Sequence, residues 1–295
     1  MPEGSRSSAG THPWSHAPGR LILEAALNVD ELVFVDGHVH YYSCFDKSNL
    51  ITSAVRNFES AAAGLSGTAN PVGTLIFVEN YGSRELSKFA GEVQRDKAVP
   101  WEIAPTSEKS SLSVFRNGVR RLVLLEGRQI RTSESLEVLA ITCSEDIPDG
   151  RPVRETLKLL YSVGAIGVVP WAFGKWWFGR GKLVNELIEE GTPEHFFLGD
   201  NGGRPHRSPR PEQFRRAQKK GIRVLPGTDP LPLPGEETRV GSYGFLLSGP
   251  MDYDRPGASL KRLLQDPERS PIPYGRGSAW LPCLRRQWLI RRRGQ

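Results

Sequence analysis

The chain has 295 residues, enough for one large domain or two small ones around a substantial buried core. Its 38% hydrophobic and 24% charged residues, with a mean hydropathy of −0.39, are those of a soluble globule and exclude a membrane-embedded protein. A formal net charge of +6 raises nucleic acid as a partner, but the six arginines of residues 276–295 carry all of it and leave 33 residues of each sign elsewhere.

Residues 1–20 are rich in Ser, Gly, Pro and His without apolar periodicity and read as a disordered tail. They lack the apolar stretch of a secretory signal, so the expected location is cytoplasmic. Leu32–Val39 (LVFVDGHV) is a buried strand, and 48–63 carries Leu50, Ala54 and Phe58 at helical spacing. Thr74–Val78 is the next strand and 83–93 the next helix, with Ser83 placed as its cap. Residues 99–131 interrupt this alternation: Asn117–Gly118 is a strong hairpin signal, since both central positions of a type I′ turn need positive φ. An antiparallel β insertion is expected there.

Alternation resumes with strands at 136–142, 165–169, 195–198, 222–225 and 243–247. Helices are expected at 153–162, 182–190, 211–220 and 258–264. Seven or eight strand–helix units in series imply parallel strands with crossover helices, and no glycine-rich phosphate fingerprint opens the first unit. The expected fold is therefore α/β, an irregular TIM-like (β/α) barrel of seven or eight strands over residues 21–275. In the final segment Leu281, Leu284 and Trp288 share one face among arginines, predicting a basic helix over 276–295 that docks on the body or meets a membrane surface or acidic partner. The body being neutral, no nucleic-acid partner is expected. Cys44, Cys143 and Cys283 are too scattered for a disulfide framework.

In such a barrel the C-terminal strand ends carry the chemistry. Those ends hold Asp36, His38 and His40; Glu79 and Asn80; Cys143 and Glu145; Trp171 to Lys175; Asp200, Asn201 and Arg204; and Asp229. His38 and His40, two apart on a strand, present their imidazoles to one face and can grip one divalent cation. The segment PWAFGKWWFGRG, with Trp171, Lys175 and Arg180, follows a strand and suits an anionic or planar ligand, as does Arg204 in GDNGGRP, beside Asp200 and Asn201.

The opening DGHVH resembles the metal-binding motif of the amidohydrolase superfamily and the related polymerase-and-histidinol-phosphatase family, and the late LPGTDPLP resembles the final-strand Asp of the amidohydrolases. The resemblance implies a metal-dependent hydrolase in which a metal-activated water attacks an amide, ester or phosphoester of a small anionic substrate bound by Lys175, Arg180, Arg204, Trp171 and Asn201. It implies His38, His40 and Asp229 as metal ligands, Asp200 or Glu79 completing the shell, and Asp229 as general base. Zinc is the first expectation for the ion, with manganese, iron or nickel as alternatives. The histidines that the family adds from two middle strands are absent, their places being Pro170–Trp171 and Gly199–Asp200–Asn201. That absence supplies the alternative, a barrel that has lost catalysis and binds a ligand or partner. His206 is a loop histidine within reach of the mouth.

Overall fold

The computed structural model describes residues 32–63, 65, 70–171, 174–176, 179–205 and 208–277. The expected N-terminal tail, His206 and all but the first two residues of the basic C-terminal segment lie outside them. Eleven strands and six α-helices alternate: β1 (Leu32–Val39), α1 (Lys47–Ala62), β2 (Gly73–Asn80), α2 (Glu85–Arg95), β3 (Glu102–Pro105), β4 (Ser111–Arg116), β5 (Val119–Arg131) and β6 (Glu137–Ile141). There follow α3 (Val153–Ser162), β7 (Ile166–Trp171), α4 (Gly179–Glu190), β8 (Phe196–Asn201), α5 (Glu212–Lys219) and β9 (Val224–Gly227), then β10 (Tyr243–Ser248), α6 (Pro256–Gln265) and β11 (Ile272–Gly275).

The strands form one mixed sheet in the order β11-β10-β1-β2-β5-β6-β7-β8-β9, with the β3–β4 hairpin on the first half of β5. The sheet curls until β9 returns to β1, where Asp229 N–H donates to His38 O at 2.8 Å, so the barrel is nearly closed. Glycines permit that approach: a Cβ on Gly227 would stand 2.4 Å from His38 N, and one on Gly37 2.8 Å from Pro226 O.

Alternation along each strand splits the core in two. Val33 and Val35, Ile76 and Val78, Val123 and Leu125, Leu139 and Ile141, Val168, Phe197 and Leu225 fill the interior, joined by Leu260, Leu263 and Leu264 of α6. Lys261 donates to Gly164 O just ahead of β7, so α6 closes the end opposite the C-terminal ends of β1, β2 and β7–β9. Outward-facing Phe34, Leu75, Phe77 and Leu124 meet α1 and α2, and Val138, Val169 and Leu198 meet α3, α4 and α5.

Two features of the barrel depart from the expected repeat. β6 runs antiparallel to both β5 and β7. Only residues 132–136 join it to β5, closed by Thr132 N–H to Leu136 O, and a parallel return needs a crossover of a dozen or more residues. β10 also runs antiparallel, against β1. The alternating pattern is thus a mixed barrel, not a clean β/α repeat. The expected turn at Asn117 and Gly118 has φ of 51° and 74°, but the strand that follows it, β5, pairs with β2 in parallel along Gly73–Asn80 and is a barrel strand.

Candidate metal centre

β1 reaches the mouth through a register shift between Asp36 and Val39. His38, within that shift, and His40, just past it, have Nε2 atoms 3.1 Å apart and rings at a steep mutual angle of 63°. Asp229 arrives from the turn after β9, its Oδ1 3.6 Å from His38 Nε2 and 3.8 Å from His40 Nε2. These three donors lie within 4.8 Å of one another, and both histidines are buried. Two nitrogens about 2.0–2.1 Å from one tetrahedral ion stand roughly 3.3 Å apart, so the spacing fits a single shared cation with an open position. The donor set agrees: burial and the neighbouring His38 push His40 down to about 4, against the opposing pull of Asp229 and Glu137, so at neutral pH its imidazole is the uncharged form that ligates metal.

Asp229 has φ of 45°, a left-handed conformation that aspartate tolerates better than most side chains. Asp36, fully buried, holds this turn. Its Oδ1 accepts from Thr228 N–H at 2.8 Å and His38 N–H at 3.3 Å, and its Oδ2 from Thr228 Oγ1 at 2.6 Å and Gly241 N–H at 2.8 Å. Burial pushes its carboxyl up to about 6, against the pull of those four bonds. From the other side Asn201 Nδ2 donates to Asp229 Oδ2 at 2.8 Å.

Asp200 does not join the three donors. Successive side chains of β8 point to opposite faces, and Asp200 turns away to Arg204, whose Nε and Nη2 reach it at 2.8 and 2.6 Å, and to Tyr243 Oη at 2.9 Å. Arg204, expected to clamp substrate, is engaged by this pair. Glu79 is equally committed: buried Arg128 binds one of its oxygens, and the other accepts from Leu86 N–H at 2.7 Å, so Glu79 and not Ser83 caps α2. Arg180 donates to Gly174 O at 3.2 Å. Trp171 is half-buried against the outer core, and Trp176 is buried edge-on to Phe214.

Reversal of β6 exchanges its ends. Cys143 follows the far end of the strand, with its N–H on Glu126 O, and Glu145 follows it; at the mouth end stands Glu137. Glu137 pairs with Lys175 and bears electrostatically on His40 and Tyr42. Tyr42 stacks 5.7 Å from His40, and burial, Asp229 and Glu137 all push its phenol pKa upward. Sequence reasoning missed the roles of Asp36, Glu137 and Tyr42; the hairpin-length gap between β5 and β6 was the available signal for Glu137.

No protein-family model and no curated protein matches this sequence. Among solved structures, PsfC from Pseudomonas syringae PB-5123 is similar at TM-score 0.48 and 11% identity, over 90% of this chain and 99% of that one. The lesion-specific endonuclease PfuEndoQ from Pyrococcus furiosus is similar at TM-score 0.49 and 12% identity, over 83% of this chain and 59% of that one. Endonuclease Q in complex with a 27-mer duplex substrate carrying an abasic lesion at its active site is similar at TM-score 0.46 and 11% identity, over 79% and 56%. The chain spans a little over half the length of the two endonuclease Q chains. Likeness this remote transfers no residue role.

The last of these structures corrects one expectation. Endonuclease Q, to which this chain is similar, is solved with a 27-mer duplex substrate, against the expectation of a small anionic substrate and no nucleic acid. Among the described residues no helix is long and apolar enough to cross a membrane.

Proposed function

We propose that this chain is a metal-dependent hydrolase built on an irregular (β/α) barrel, with one divalent cation held by His38, His40 and Asp229. The observation that carries the reading is the convergence of those three side chains, from sequence ends of the barrel, within 4.8 Å at a buried mouth. Strand ends need no such cluster for packing, and two imidazole nitrogens with a carboxylate oxygen form an N/O donor set suited to zinc and its neighbours. A bound ion supplies a Lewis acid and lowers the pKa of water toward neutrality, the chemistry required to cleave an amide, ester or phosphoester.

The chain's own residues do the rest. His38 and His40 bind through Nε2. Asp229 would hold the ion through Oδ1 and would serve as the proton acceptor for water, its orientation set by Asp36 behind it and Asn201 beside it. Tyr42 and the Glu137–Lys175 pair border the same space and meet the substrate.

Elemental analysis of purified protein, before and after reconstitution, tests the ion; no stoichiometric metal in either state refutes the proposal. A panel of amide, lactone, phosphoester and abasic duplex substrates, with and without chelator, tests the chemistry; turnover that survives chelation refutes it equally.

A further inference from the structure

We propose that Asn201 is a positioning residue that makes Asp229 a one-oxygen ligand and restricts the centre to a single ion. This inference rests on the reading above and names what sets the metal affinity of the same site.

Asn201 ends β8 on the face opposite Asp200 and is buried. Its only donor group reaches Asp229: Nδ2 to Oδ2 at 2.8 Å. A carboxylate has two oxygens of equal basicity, and left alone either can turn to a cation or both can share it. The amide biases that choice. With one acceptor site of Oδ2 taken by the amide and that oxygen drawn toward Asn201, Oδ1 is the oxygen turned to His38 at 3.6 Å and His40 at 3.8 Å. Partners of this kind fix the rotamer of a ligand without touching the metal, and their removal costs metal affinity.

The other end of the same amide points to a ligand. Asn201 Oδ1 is buried and has no hydrogen-bond partner, an arrangement that native structures avoid unless water or a bound group completes it. Asn201 therefore offers an acceptor within one amide's width of the atom that holds Asp229. A water or a substrate hydroxyl or N–H occupying that position is oriented by the residue that orients the carboxylate.

Commitments of the neighbouring acids argue for one ion. Glu79 is held by Arg128 and Leu86 N–H, and Asp200 by Arg204 and Tyr243. Both oxygens of Glu79 and of Asp200 are bonded, and Glu137, at the mouth, is paired with Lys175. Among the described residues the three-donor group is the one cluster able to hold a metal.

The test uses Co2+ as the probe, read by visible absorption and by elemental analysis of the full-length protein. Wild type is expected to bind one Co2+ per chain. Asn201→Leu, similar in volume but without the donor, is expected to bind it about 10- to 100-fold more weakly, with an altered visible spectrum at saturation. Asn201→Ser, too short to reach Asp229, is expected to shift both in the same direction and serves if the leucine variant does not fold. Two ions per wild-type chain overturn the proposal. So does either variant binding Co2+ within twofold of wild type with an unchanged spectrum, even if its apo melting temperature falls, because that pattern assigns Asn201 a structural role only. Absence of Co2+ binding by wild type overturns the metal reading as a whole, whereas normal wild-type binding with unaffected variants overturns this inference alone.

Discussion

Two buried polar clusters stand at the same rim of the barrel and behave in opposite ways. On the β2–β5 side, Glu79 is bound by Arg128 and Leu86 N–H, while Arg128 also binds Glu126, Ser144 O at 2.9 Å and Glu145 O at 3.2 Å. Opposite charges meet there and the hydrogen-bonding capacity is met. On the β1–β9 side, two imidazoles meet through their Nε2 atoms at 3.1 Å, a carboxylate oxygen stands 3.6 and 3.8 Å from them, and an amide oxygen has no partner. Polar residues at strand ends do not by themselves mark a site. What distinguishes the second cluster is its donor chemistry: two ring nitrogens and a carboxylate oxygen converge within 4.8 Å with no cation side chain among them.

The comparison can be broken most forcefully on the saturated side. Arg128→Met leaves Glu79 buried without its counter-charge and is expected to cost about 3–5 kcal/mol, read by urea unfolding, without changing metal stoichiometry. A change in stoichiometry would join the two clusters into one site. On the unsaturated side, Zn2+ at 100 times its Kd should raise stability by about 2.7 kcal/mol in wild type and by nothing in His38→Ala/His40→Ala, read by thermal unfolding. Asp36→Ala, which orphans donors of the β1–β9 seam, is expected to cost about 1.5–3 kcal/mol and also to weaken Zn2+ binding; a loss of stability with intact binding would detach Asp36 from the site.

The pH dependence sharpens the contrast more gently. The native state keeps His40 unprotonated down to about 4, while in the unfolded chain it takes a proton near 6.5. Between those values the unfolded state binds more protons, so the His40 contribution lowers apo stability as pH falls through that window and levels off below it. His40→Leu should remove this loss of stability between about pH 6.5 and 4, leaving the opposite contribution of buried Asp36, whose carboxyl is pushed up to about 6. Smallest of all, Glu137→Gln is expected to change stability by no more than about 1 kcal/mol, since its partner Lys175 is 35% exposed. A larger loss would place Glu137 with the structural cluster.

Much of this was legible in the sequence. β1 emerges as Leu32–Val39, the expected span, because a strand buried on both faces reads as one apolar run, and the DGHVH and GTDP segments fall at the mouth because both follow such runs. What escaped depends on facts that local pattern does not encode. The direction of β6 was decided by the short reach of residues 132–136, and with it whether Glu137 or Cys143 stands at the mouth. Asp200 and Asn201 are adjacent in sequence, yet strand alternation sends one to Arg204 and the other to Asp229. Glu79 and Arg128 find each other across 49 positions, a partnership invisible to composition.

The seam between β1 and β9 also orders events in time. Asp36 and Thr228 are 192 residues apart, so the contact that brings Asp229 to the histidines closes almost the whole described chain into a loop. Loop closure of that length is an entropic cost met only when the intervening strands are in place, so such contacts form late. A chain folded through β8 has its two imidazoles and no carboxylate. Metal uptake during refolding would therefore follow the recovery of helix and sheet signals, and the centre would register that β9 has docked against β1.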